Sequence, residues 1–171
     1  MKSTALLVLL MFASLAEQKI EIASLKFQMD DENWKLAFDN QNGNFNTFIY
    51  KRKPIVDAEG TKVIPSLSFI VESVVPGSNV ITFSAQKRMQ VPFEVTKVIS
   101  HESGELSLKN AVGYFGEYKD RNGAKHKVYV VHAIYGDKGI QILGDITKSI
   151  ESQIDGEMLA MLKSIEYYGE D

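Results

Sequence analysis

His101, His126 and His132 are the obvious candidates for metal chemistry in a chain with no cysteine. His126 and His132 stand an even number of residues apart and so share one face of a strand. Six strand residues nevertheless span about 20 Å, whereas a metal bond measures about 2 Å, so one ion cannot bridge them. His132 lies within KVYVVHAIY, residues 127–135, and reads as a hydrogen-bonded core imidazole; His101 beside Glu102 reads as an exposed strand end. No metal or other cofactor is expected. Asp30, Asp31 and Glu32 lack the ligand spacing and turn glycine of a calcium loop and read as a solvated turn.

Nucleophilic and phosphate chemistry find no better footing. No serine sits in a G-x-S-x-G elbow, and Pro76-Gly77-Ser78-Asn79 reads as a turn followed by a helix cap at Ser78. Gly113 and Gly116 have no strand–loop–helix context for a phosphate and mark a bulge or close packing within a strand. Tyr114, Tyr118, Tyr129 and Tyr135 fall in neighbouring predicted strands. They are candidates for the lining of a small-molecule pocket, with cross-strand aromatic pairing as the competing role. The expectation is a non-enzymatic domain.

Lys51, Arg52 and Lys53 form the one concentrated basic cluster singled out, opening a stretch to Lys62 that contains Pro54 and an acidic turn at Asp57–Gly60. Three adjacent cations cannot all be buried without matched charges, so part of the cluster must face water. It is the candidate contact for a partner protein, on an exposed hairpin connection.

Turn signals recur at Asn42-Gly43, Glu59-Gly60, Pro76-Gly77, Ser103-Gly104, Asn122-Gly123 and Gly136–Gly139. Between them lie β-branched and aromatic runs at 20–27, 34–38, 45–50, 63–75, 93–99, 112–118, 127–135 and 140–146, which predict strands. Ile150, Ile154, Met158, Leu162 and Ile165 recur at helical spacing, and Ile81, Ala85 and Met89 form a shorter helical stripe before Pro92. The run 127–135 is apolar on both strand faces, so both must be covered. An antiparallel sheet with a helix against each face, a three-layer α/β/α sandwich of the α+β class, meets that demand.

Met1-Lys2, the apolar run Ala5–Phe12 and small residues at Ser14 and Ala16 predict a secretory signal over 1–16 and one domain over 17–171. That apolar run is shorter than the roughly 20 residues of a membrane-spanning helix, so the domain is expected to be secreted or periplasmic and not membrane-embedded. The net charge of −3, or 18 − 22 = −4 without residues 1–16, argues against generic nucleic-acid binding.

The spacing from Phe27 to Trp34, the segment Tyr50-Lys51-Arg52-Lys53-Pro54 through Gly60 to Pro65, and the closing Leu162-Lys163-Ser164-Ile165 resemble PsbP-like domains. The resemblance covers most of residues 20–167. It implies an α/β/α sandwich shared with Ran-binding Mog proteins, and a non-catalytic domain that binds or stabilises a partner. It carries over no site residue. A carrier of a small molecule in a cleft between sheet and helix is the alternative.

Overall fold

A computed structural model describes residues 15–41 and 44–169. In chain order the elements are β1 (Leu15–Ile20), β2 (Leu25–Asp30), β3 (Trp34–Asn40), β4 (Phe45–Arg52), β5 (Ile55–Val56), β6 (Lys62–Val63), β7 (Ser66–Ser73), α1 (Val80–Arg88), β8 (Glu94–Ser100), β9 (Ala111–Lys119), β10 (Lys125–Tyr135), β11 (Lys138–Thr147), α2 (Glu151–Ser164) and β12 (Glu166–Tyr167). Seven strands make an antiparallel sheet in the order β3-β4-β7-β11-β10-β9-β8; β1, β2 and β12 form a second sheet, and β5 with β6 a small hairpin. The expected turn at Asn42-Gly43 and most of the expected signal segment lie outside the described residues. β1 begins at Leu15, so cleavage after Ala16 would remove its first two residues and leave Glu17–Ile20 opposite Leu25–Gln28.

Strand alternation sorts the large sheet into two unlike faces. Registered pairs place Tyr129 beside Gly144, Val131 beside Ile142, Ile142 beside Phe69 and Phe69 beside Phe48. This face is the core side. Leu25, Phe27 and Met29 of β2 and Ile154, Met158, Met161 and Leu162 of α2 are buried in the same cluster. Phe27 meets Tyr50 edge-on at 5.3 Å and Phe69 at 5.0 Å. The helical stripe from Ile150 to Ile165 is buried throughout, as its spacing predicts.

The three-layer sandwich with a helix on each face is not what forms. The protein is mostly β, and its core face is covered by a second, three-stranded sheet together with α2. Among the described residues the one helix on the other face is the nine-residue α1, packed over β9 and β10. Toward β3 and β4 that face is open, with Phe38 and Phe45 47 % and 49 % exposed. The reason lies in strand composition: β10 is buried on both sides from Val128 to Ile134, but β7, SLSFIVES, sets Leu67, Phe69 and Val71 inward against half-buried Ser66, Ser68, Ile70 and Glu72. One doubly covered strand does not require a fully covered sheet.

Candidate functional site on the outer face of helix 1

Helix α1 is held by the residues on its inner side. Asn79 caps it, its side-chain oxygen accepting from the Ile81 and Thr82 amides at 2.7 and 3.4 Å, while Ser78, the expected cap, instead donates to the Val75 carbonyl at 2.6 Å. Phe83 and Ser84 are the helix's buried residues. Ser84 Oγ lies 2.8 Å from the Tyr114 hydroxyl and 2.8 Å from His132 Nδ1. With Nδ1 unprotonated, Tyr114 donates to Ser84 and Ser84 donates to His132 Nδ1, a chain that links sheet to helix. Burial first, then the charges of Lys87 and Arg88, push the His132 imidazole down to about 4, so the ring is neutral at physiological pH. A serine beside a neutral histidine is the beginning of a nucleophile–base pair. Here both residues are 1 % exposed, so no substrate reaches them and the pair works as an anchor between helix and sheet.

The two cations of α1 also turn toward the sheet. Lys87 makes an ion pair with Glu72 and lies 5.5 Å from the Phe83 ring centre and 5.8 Å from that of Phe45. The Arg88 guanidinium lies 5.3 Å from the ring centre of Phe93 and 4.8 Å from that of Tyr114. Its Nε is buried with no hydrogen-bond partner, and among the described residues no carboxylate pairs with it. Two positive groups over aromatic rings and one buried hydroxyl thus occupy the side of the helix that would ordinarily be apolar.

The apolar stripe consequently points outward. Ile81 is 63 % and Met89 89 % exposed, and Ala85 between them is exposed as well. With Arg88 and Tyr114 they line a depression of about 360 Å³, and Val98, the cross-strand partner of Tyr114, continues the apolar surface onto the edge strand β8. A separate cleft of about 540 Å³ opens at the start of α1, between Val74 and Val75, Asn79, Thr82, Phe83 and the Glu72–Lys87 pair.

The tyrosines proposed to share a pocket do not converge. Tyr114 and Tyr118 lie on the α1 side of the sheet, whereas Tyr129 and Tyr135 lie on the core side. Tyr118 stacks on His126 at 4.6 Å, and both bind the Asp145 carboxylate, each at 2.7 Å. Tyr129 donates to Asp155, which also takes the Lys127 ammonium, and Tyr135 stacks on Tyr167 at 4.4 Å. Their contacts are those of cross-strand and interlayer packing.

His101 is exposed, and among the described residues no group of three or more histidines and carboxylates could hold a metal ion. Asp30 closes the β2–β3 turn by accepting from the Glu32 amide and the Asn33 side chain. A Cβ on Gly116 would lie 2.2 Å from the Phe93 ring, so that glycine serves close packing under the aromatic that flanks Arg88.

The basic cluster is divided rather than continuous. Lys51 and Lys53 are exposed, but Arg52 turns inward, its Nε 3.1 Å from Glu157 on α2. The insert is tied down elsewhere too: Ile55 is buried, the Lys53 amide donates to the Asn33 carbonyl at 2.7 Å, and Asp57 accepts from the Glu59 and Thr61 amides. Replacing Lys51 and Lys53 by alanine should change unfolding free energy by no more than about 0.5 kcal/mol. Arg52→Ala should cost about 1–3 kcal/mol, because Glu157 loses a charge-assisted partner. Urea unfolding of the two variants separates these effects; equal losses would mean that the cluster acts as one unit.

Ser84, Lys87, Arg88 and Met89 were not legible as site residues. The only signal was that the stripe Ile81, Ala85, Met89 is thin and its neighbour Phe83 is the larger apolar group. No protein-family model matches the chain, and no curated protein matches it either. Among the described residues no helix is long and apolar enough to cross a membrane.

Proposed function

We propose that this chain is an exported, non-enzymatic protein-interaction or accessory domain that docks a partner protein through the outer face of α1. One observation carries the reading: a helix fixed from beneath by hydrogen bonds and cation–aromatic contacts presents its own apolar stripe, Ile81, Ala85 and Met89, to solvent. An apolar surface that continues from a helix onto an edge strand is the kind of patch that marks a protein contact. The neutral, inaccessible Ser84–His132 pair supports a non-enzymatic role. The resemblance of the sequence to PsbP-like domains, which implies accessory work, agrees with it, although the sandwich it also implied has been corrected above.

The 540 Å³ cleft favours a second reading, a carrier of a small molecule, since it falls within the size range of ligand pockets. Native mass spectrometry of protein isolated from its own host distinguishes the two. The expected result is an added protein mass on the wild type that disappears from a double Ile81→Asp, Met89→Asp variant whose melting temperature is unchanged, both side chains being exposed. A protein mass that survives the double substitution contradicts the docking face. An added mass of a few hundred daltons, lost on replacing Thr82 in the cleft, would favour the carrier.

A further inference from the structure

Resting on the docking face just described, we infer that its partner is an acidic apolar peptide segment, one in which a large aliphatic or aromatic side chain is followed within a residue or two by a carboxylate. The apolar part of the recognition is supplied by Ile81, Ala85 and Met89. The carboxylate is called for by Arg88. Its guanidinium borders the same depression, has no carboxylate partner among the described residues, and is held against the faces of Phe93 and Tyr114.

Three features of that arrangement select an anion. A guanidinium presents planar, forked N–H donors, and the planar geometry of a carboxylate matches that fork in bidentate fashion. The desolvated Nε means that part of the cost of removing the group from water is already met in the unbound protein. Lys87, the other cation of the helix, is engaged by Glu72, and α1 itself contains no acid, so Arg88 is the uncompensated charge at this surface of an acidic protein. Charge complementarity therefore favours a negative ligand here despite the overall negative charge.

The extent of the surface points to a peptide rather than a free organic acid. From Ile81 to Met89 the stripe runs about 12 Å along the helix, and Val98 extends it sideways onto β8. A fatty or aromatic acid would lie in the open 360 Å³ depression with much of its surface still wet, whereas small-molecule sites enclose most of their ligand. A chain segment covers the stripe with successive side chains while one carboxylate meets Arg88.

The test is selection of a random dodecapeptide phage library on the full wild-type protein, followed by titration of the enriched peptides. Peptides with an aliphatic or aromatic residue close to aspartate or glutamate are expected, and their affinity should fall at least tenfold on Met89→Asp and at least tenfold on Arg88→Gln. Because Arg88→Gln also removes contacts to Phe93 and Tyr114, each peptide is also titrated against unaltered protein after its acids are replaced by the corresponding amides. The same tenfold loss is expected. Apolar peptides without acids that are lost on Met89→Asp but bind Arg88→Gln equally well would overturn the acidic partner and leave the docking face standing. No enrichment on wild type over Met89→Asp would overturn both. Sodium dodecanoate displacing the selected peptides at submillimolar concentration would overturn the choice of a peptide over a free acid.

Discussion

Trp34→Ala is expected to remove about 3–5 kcal/mol of stability, the largest loss from any single substitution considered, out of the roughly 5–15 kcal/mol that holds a domain of this kind together. Trp34 is fully buried at the start of β3, an edge strand of the large sheet, so the ring supplies packing where the sheet has no further strand to lean on. Its indole N–H donates to Glu157 of α2, the carboxylate that also binds Arg52. Alanine would leave a cavity between sheet and helix and strip Glu157 of one of its two partners. Trp34→Phe keeps most of the buried ring and lets Arg52 hold Glu157, and should cost about 1–3 kcal/mol. Equilibrium denaturation of both variants checks this order; a loss below about 1 kcal/mol for alanine would show that the β3 end of the sheet contributes little.

Acid should weaken the protein before its carboxylates begin to titrate, and His132 is the reason. Its folded value lies at about 4, depressed chiefly by burial and then by Lys87 and Arg88, whereas an imidazole in the unfolded chain titrates near about 6.5. Between these values the unfolded chain takes up a proton that the folded protein refuses. Stability contributed by the neutral ring is therefore fully present above about pH 6.5, falls as the pH drops toward about 4, and falls no further for this group below that. The loss between about pH 7 and about pH 4.5 amounts to about 2–3 kcal/mol. Asp155 acts in the same direction at a lower pH: burial raises it, but the hydrogen bonds from Lys127 and Tyr129 prevail and hold it below the usual carboxylate value, so its contribution is lost only on further acidification. Urea unfolding of wild type and His132→Gln at the two pH values isolates the histidine. The expected outcome is a pH-dependent loss in wild type that is largely absent from the variant; equal losses in both would assign the acid sensitivity to other groups.

Strand content and the long helix could be read from the sequence because each depends on a local pattern. Residues 127–135 are apolar in both strand registers, and Val128 through Ile134 are all buried. The spacing Ile150, Ile154, Met158, Leu162, Ile165 has only one wide apolar face to offer, and it faces the core. The run 20–27 was less transparent. It is broken after Ile20 by a short turn that ends at Ser24 with φ of 50°, and no glycine or proline signals that break. The second sheet was missed because β1 begins inside the expected signal segment and pairs with β2 across that unmarked break, and because its third strand joins Leu25 and Lys26 from the far end of the chain.

The misreading of α1 has a sharper physical cause. A stripe of apolar residues predicts a buried face only when nothing better competes for the interior. In α1 the competitors are the Phe83 ring, a hydroxyl that can join the Tyr114–His132 chain, and two long cations whose stems and charges settle over Phe45, Phe83, Phe93 and Tyr114. Apart from Phe83, those partners lie outside the helix, before it at Phe45 and after it at Phe93, Tyr114 and His132, so a window around residues 80–89 holds only part of the information. The basic triplet shows the converse: Lys51 and Lys53 face water as charge alone requires, and only the distant Glu157 determines that Arg52 turns inward.

Hydrogen–deuterium exchange of the wild-type protein, alone and in complex with the partner isolated from its host, tests the docking face most directly. The account predicts slowed exchange in peptides covering Val80–Met89 and in the facing edge strand Glu94–Ser100, with the hairpin at 51–65 unchanged. Slowed exchange at 51–65, with α1 exchanging as it does in the free protein, would contradict it and return the partner contact to the basic insert.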